Sequence, residues 1–403
     1  MMRFRFLPKT SSGRQEFWSL IKDFSPSFIP VVILGAISFF SKPQLPNVKI
    51  GYAVCLILYV LLIIYEFRGK VLLKERTNDV PFTIHVVNTE DNAELKLFHS
   101  KFSNDILSYL ESNKKLNLHI FKRISEYLPG VVFWSFNRTK IGIKADPCKD
   151  SENKEDVSAE IKREWTEALE DLSEEWNFFY NQASFAASLH VLSHNRKVVY
   201  HIFQNCPVFL SFYFGYIIGA RDLDLGLYNF GTEKGKEFKY FNVINTLDID
   251  LSKFGRLVEF EDKEKVESFL KDKATDDLSL SVLNIKKVKP ISEEDSEIFL
   301  EVYAHYKEGL ESGKSNFVIR KGLSSVSEQI EVNLIQTIYT SMVKIAKAYS
   351  EKEIKVSLLV PNSIATALGF AFARKDKPEN ISFNVSKDLC FKLPEIKQIA
   401  KII

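Results

Sequence analysis

Two stretches of this chain are close to being one stretch written twice. Val198–Phe230 reads VVYHIFQNCPVFLSFYFGYIIGARDLDLGLYNF, and Ile354–Val385 reads IKVSLLVPNSIATALGFAFARKDKPENISFNV. Each runs apolar strand, polar turn, proline, apolar helix with an internal glycine, polar turn, strand. Pro207 and Pro361, Gly215 and Gly369, and Leu227 and Ile381 all stand 154 residues apart, so one offset aligns three landmarks. A strand–helix–strand unit is a βαβ crossover, with parallel strands and a right-handed connection. Two such units predict an α/β fold of two pseudo-symmetric Rossmann-like lobes. In such sheets ligands sit beyond the carboxyl ends of the strands, at helix N-termini. Two lobes side by side would make one composite ligand floor.

The segments ahead of each unit extend the duplication. Before the first, Phe82–Asn88 alternates like a strand, and Thr89 caps a helix reaching about Ser112. Leu116–Phe121 is a further strand. Val131–Phe136 and Lys140–Ala145 read as a hairpin turning at Asn137-Arg138, and Val157–Leu192 as a long helix. Before the second unit, Leu278–Asn284 alternates, Ser292–Leu310 reads as a helix, and Asn316–Lys321 as a strand. Ser325 and Glu328 have capping-box spacing, so a helix is expected from there to about Tyr349. Lobe one spans about 82–244, with a strand near Phe238–Ile244, and lobe two about 278–403.

The N-terminal part is of another kind. Residues 1–23 carry Arg3, Arg5, Lys9, Arg14 and Lys22, and Phe17, Trp18, Ile21 and Phe24 fall on one side of a short helix, the pattern of an interfacial anchor. Phe24–Phe40 and Ile50–Tyr65 are uncharged runs of 17 and 16 residues, joined by a polar turn. Each is marginal against the roughly 20 residues a membrane span needs, but the pair reads as a transmembrane hairpin over about 24–70, with helices near 24–40 and 50–67. The competing reading is a buried hairpin of a soluble domain. Basic flanks outside the pair place both termini in the cytoplasm. A polar linker at 71–81 leads into the lobes.

Composition excludes several function classes. A net charge of +2 implies no bulk polyanion such as duplex DNA as partner. Cys55, Cys148, Cys206 and Cys390 are scattered, which argues against a zinc cage or a disulfide framework. No GxGxxG, Walker A, HExxH or GxSxG motif occurs. His201 and Cys206 lie near each other in sequence, but one is in a strand and the other opens a helix, with no third group to orient a dyad. His190 and His194 have i, i+4 spacing without a further ligand nearby. No cofactor, no metal and no catalytic residue are expected.

The two copies of strand–Pro–helix–Gly–strand, CPVFLSFYFG at Cys206–Gly215 and VPNSIATALG at Val360–Gly369, resemble the SAVED domain. That family fuses two CARF-like Rossmann lobes and senses cyclic oligonucleotides in bacterial CBASS anti-phage systems. The likeness covers about Phe82–Ile403. The hairpin resembles the two-transmembrane effector module of some SAVED proteins. The first copy departs from the family in its crowd of aromatics, Phe209, Phe212, Tyr213 and Phe214, and the second in Asn362.

The resemblance implies a ligand made of phosphodiesters and bases. Phosphates take backbone N–H groups at helix N-termini, hydroxyls and cations, while bases stack on aromatic or Arg faces. The strand-to-helix turns offer Asn88 and Thr89, Gln204 and Asn205, Arg320, Lys321 and Gly322 with Ser324 and Ser325, and Asn362 and Ser363. Capping alone also accounts for Ser324 or Ser325, Asn205 and Asn362. The resemblance implies a receptor in the bacterial inner membrane. It would bind a cyclic trinucleotide, or next a dinucleotide, from a cognate nucleotidyltransferase, then form a homo-oligomer and disrupt the bilayer. A membrane-anchored enzyme acting on nucleotides and a tethered scaffold are the alternatives.

Overall fold

The computed structural model describes residues 78–87, 93–94, 105–109, 133–137, 154–188, 198–231, 239–245, 253–272, 276–305, 315–374, 378–386 and 389–400. The expected membrane hairpin and the expected strands at 116–121 and 140–145 lie outside them. Among the described residues no helix is long and apolar enough to cross a membrane.

The chain divides into two compact units. One comprises Met1–Asp79, Lys115–Arg123 and Ala183–Val198, of which only the ends of three elements are described. The other, Val80–Lys114, Ile124–Gln182 and Val199–Ile403, holds both sheets.

The first sheet is built from β1 (Asn78–Val87), β2 (Phe133–Asn137), β3 (Val198–Asn205), β4 (Asp224–Gly231) and β5 (Lys239–Asn245). Its order is β2-β1-β3-β4-β5, with β2 parallel to β1, β3 parallel to β4, and β5 antiparallel at the edge. The second contains β6 (Asp277–Ser279), β7 (Asn284–Lys287), β8 (Glu297–His305), β9 (Phe317–Gly322), β10 (Glu353–Leu359), β11 (Ile381–Ser386) and β12 (Leu389–Lys392). Its order is β12-β11-β10-β8-β9-β7-β6. Read from β9, the run β9-β8-β10-β11-β12 repeats the first sheet strand for strand, including the antiparallel edge. The β6–β7 hairpin is an addition beyond β9.

The helices repeat as well. Helix α1 (Lys154–Ser188) precedes β3 as α4 (Val332–Ala348) precedes β10. Helix α2 (Val208–Gly219) and α5 (Asn362–Arg374) follow those strands. Helix α3 (Lys263–Lys271) and α6 (Leu393–Ile399) have no predicted counterpart.

The core explains the aromatic crowd in the first copy. Helix α2 is apolar all round and buried along nearly its whole length, as a helix enclosed on every side must be. Phe214 stacks on Phe82 of β1 at 5.4 Å and meets Trp176 of α1 edge-on at 5.1 Å. On its other side Phe209 stacks on Phe391 of β12 at 5.3 Å, and Phe212 lies 4.0 Å from Phe383 of β11. One helix thus packs into both lobes. Each such aromatic pair is worth about 0.5–1.5 kcal/mol beyond its buried area.

Three expectations are corrected. The helix expected over Ser292–Leu310 is replaced at Glu297–His305 by β8, a strand in the middle of the second sheet. Ile298, Leu300, Val302 and Ala304 alternate inward, and Phe299, Glu301, Tyr303 and His305 take the other face. Leu278–Asn284 is two short strands joined by a turn rather than one. The helix expected from Ser325 begins only at Val332. The intervening segment makes a turn at Ser325–Glu328 and then lies against lobe one. Ile330 N donates to Val243 O at 2.9 Å, and Gln329 Nε2 to Asn242 O at 2.6 Å.

Candidate functional site

Helices α2 and α5 lie against each other with almost nothing between their backbones. A Cβ on Gly215 would stand 2.0 Å from Thr366 O, and one on Gly369 would stand 1.9 Å from Phe212 O. These are the same contact seen from the two sides of the pseudo-symmetry, since Phe212 and Thr366 are themselves equivalent at the 154-residue offset. Further along, Gly219 faces Phe370 and Ala373. The contacts advance in step along both helices, so the two run parallel. Their N-termini lie together, following the carboxyl ends of β3 and β10. Asn362 Nδ2 donates to Cys206 O at 3.1 Å and ties the two starts together.

Parallel helices side by side bring like ends of two dipoles together. The structure treats the two ends differently. At the carbonyl end, Arg374 Nε donates to Gly219 O at 3.2 Å, and its Nη2 to Arg221 O at 3.1 Å and to Asp222 Oδ1 at 2.6 Å. A cation thus answers the negative end of α2. At the amide end neither helix has an acidic residue in its first turn. Pro207 stands at the N-cap of α2 and no side chain caps that helix. First-turn amides with no acid beside them are what an anion takes up.

The side chains around this end are committed to one another. Asn205 Nδ2 pairs with His85 Nε2 at 3.2 Å and no side chain caps α2, while Asn362 Nδ2 donates to Cys206 O. Ser363 Oγ donates to Asn229 Oδ1 at 2.5 Å, and Asn229 Nδ2 to Val326 O at 3.3 Å. Asn229, at the end of β4, thereby joins the start of α5 to the segment before α4. Sequence reasoning passed over it, and only its place at the end of a parallel strand marks it. Thr366 Oγ1 donates to Gln204 Oε1 at 2.7 Å, with Asn362 O and Ser211 O also within reach.

Arg320, Lys321 and Gly322 end β9 as expected. Arg320 lies over the ring of Tyr303 at 5.6 Å. The hydroxyls beyond them open a turn, not a helix. Ser324 N and Ser324 Oγ both donate to Glu328 Oε2, the latter at 2.6 Å, and Ser325 Oγ lies 3.1 Å from Ser327 Oγ. The Glu328 carboxylate thus takes Ser324 and not Ser325, and Glu328 N closes a turn on Ser325 O at 3.3 Å. Gln204, Asn205, Asn362 and Ser363 are brought together at the helix starts. Asn88 and Thr89 lie outside the described residues, as do His190 and His194.

Two candidate reactive groups are disposed of by their surroundings. Burial pushes the Cys206 thiol up to about 12, and Ser211 Oγ lies 3.2 Å from its Sγ. His201 Nδ1 pairs with Tyr228 OH at 2.8 Å, on the sheet face opposite Gln204, and does not activate the thiol. Among the described residues no cluster of His, Cys, Asp and Glu is arranged to hold a metal ion.

No protein-family model matches this sequence, and no curated protein matches it. Solved structures do. One is an Acinetobacter baumannii Cap4 SAVED/CARF-domain containing receptor with the cyclic trinucleotide 2'3'3'-cAAA, at 11% identity over 83% of this chain and 55% of that one, TM-score 0.33. The same receptor with 3'3'3'-cAAA matches at 9% identity over 82% and 54%, TM-score 0.35. This chain spans about half the length of those it matches.

Proposed function

We propose that this chain is a membrane-bound receptor and effector for a small cyclic oligonucleotide. One observation supports the ligand class above all. The paired helices α2 and α5 have their carbonyl end answered by Arg374, while at their shared amide end neither first turn carries an acid. A phosphodiester ring carries several anions at fixed spacing, which suits two positive helix ends held side by side. Arg320 and Lys321, at the end of β9, are cations in reach of the same end of the lobes' sheets. The likeness of the two repeated stretches to SAVED lobes favours a cyclic trinucleotide, with a dinucleotide next, supplied by a cognate nucleotidyltransferase.

On this reading the chain does no chemistry on its ligand and needs no cofactor. Ligand binds the assembled state better than the free chain and so shifts the population toward a homo-oligomer. Assembly gathers the hairpins at 24–70 in the bacterial inner membrane, with both termini cytoplasmic, and breaches the bilayer. Dye leakage from liposomes carrying the full chain tests this, with cyclic di-, tri- and tetranucleotides added one at a time. Leakage with one ring only is expected. Tight binding of a ring without leakage from correctly inserted protein would overturn the effector role.

A further inference from the structure

Gln204 is only 2% exposed, yet half of its carboxamide is unused. It sits near the end of β3, and its Oε1 accepts from Thr366, one turn into α5. With Thr366 donating to Oε1, both hydrogens of Nε2 are without an acceptor among the described residues. Such buried donors are rare, and each asks for an explanation. Thr366 is also the residue whose backbone lies against Gly215. Through Thr366, Gln204 therefore touches the point where the two helices are closest.

We infer that Gln204 is a positioning residue for the ligand. Among the described residues its N–H groups have no acceptor, and the ligand-bound arrangement of the helix pair supplies one. Part of the affinity then comes from relieving this donor. The inference rests on the reading of that amide end as the ligand site. It assigns the coupling between ligand and helix pair to Gln204 and Thr366.

Replacing Gln204 by methionine separates this role from a structural one. Methionine has nearly the same shape and no polar group, and an apolar replacement removes an unsatisfied donor rather than creating one. Thr366 keeps Asn362 O and Ser211 O as acceptors. The Gln204→Met chain is expected to melt, free of ligand, at the same temperature as the natural chain or higher. Its affinity for 3'3'3'-linked cyclic triadenylate is expected to fall about tenfold. A lower melting temperature with unchanged affinity would overturn the inference, as would no change in either. A ligand-independent arm uses Thr366→Val, which strips the Gln204 side chain of its one partner among the described residues. Adding Gln204→Met to that variant should restore stability, and failure to restore it also counts against the inference. A natural chain that binds no cyclic oligonucleotide, with the rescue intact, would remove the functional reading instead and leave the unpaired donor a structural fact.

Discussion

Gly215 and Thr366 meet backbone to backbone: a Cβ on Gly215 would stand 2.0 Å from the Thr366 carbonyl oxygen. Alanine at Gly215 or Gly369 must push the helices apart. Each is expected to cost about 1–3 kcal/mol, the usual cost of overpacking, and more if α2 cannot shift between its two lobes. Alanine at Gly322, where a Cβ meets nothing within 4 Å, is the control and should change stability by less than about 0.5 kcal/mol. Urea unfolding of the three variants decides this.

Arg374 serves the far end of the same pair. Its donors reach Gly219 O, Arg221 O and Asp222, and its side chain is 15% exposed. Arg374→Met is expected to lose about 1.5–3 kcal/mol, the range for hydrogen bonds to a charged group. Because it lies at the carbonyl end, ligand affinity measured well below the melting temperature should stay within about twofold of the natural chain, or about 0.4 kcal/mol. A large loss of affinity would place the anion site at the wrong end.

Burial makes the neighbourhood of α2 sensitive to alkali. It pushes Cys206 and Tyr216 each up to about 12, from ordinary values of 9.0 and 10.0, and raises Tyr213 as well. The folded chain holds these protons after the unfolded chain has released them, so stability falls as pH rises. The contribution is complete below about pH 9 and drains away between there and about 12. Unfolding free energies from pH 8 to 11 should decline, and less steeply in Tyr216→Phe. A flat profile would contradict the burial of these groups.

Lys287 is 1% exposed and closes the carbonyl end of α3. Its ammonium donates to Phe269 O at 2.8 Å and to Asp272 O, and lies 5.0 Å from the Phe269 ring. Lys287→Met should release α3 and cost about 1.5–3 kcal/mol, since it orphans both carbonyls. Hydrogen exchange is expected to quicken over 263–271 and to leave α5 unchanged.

The repeat was legible because packing demanded it. Gly215 and Gly369 are each glycine for the sake of the other helix, so the spacing of Pro207–Gly215 and Pro361–Gly369 survived in two otherwise different stretches. What failed was local signal overruled by distant partners. In β8, Glu301 and His305 punctuate the apolar residues so that an inward period of two passes for an amphipathic helix. Only its neighbours β9 and β10 make it a strand. The Ser325–Glu328 spacing promised a helix, but the segment makes a turn there, and Asn229, Asn242 and Val243 of lobe one bond to Val326, Gln329 and Ile330 in place of helical partners. Asn205 and Asn362 look like caps by residue type. Their actual partners, His85 and Cys206 O, are 120 and 156 residues away, beyond any reading of local sequence.

The central claim is that the shared amide end of α2 and α5 receives a cyclic oligonucleotide. Calorimetric titration of the full chain with a panel of cyclic di-, tri- and tetranucleotides tests it most directly. The account predicts saturable binding of one ring, weakened by rising salt as charge-assisted contacts are screened. Binding of none, by chain that melts cooperatively, would contradict it.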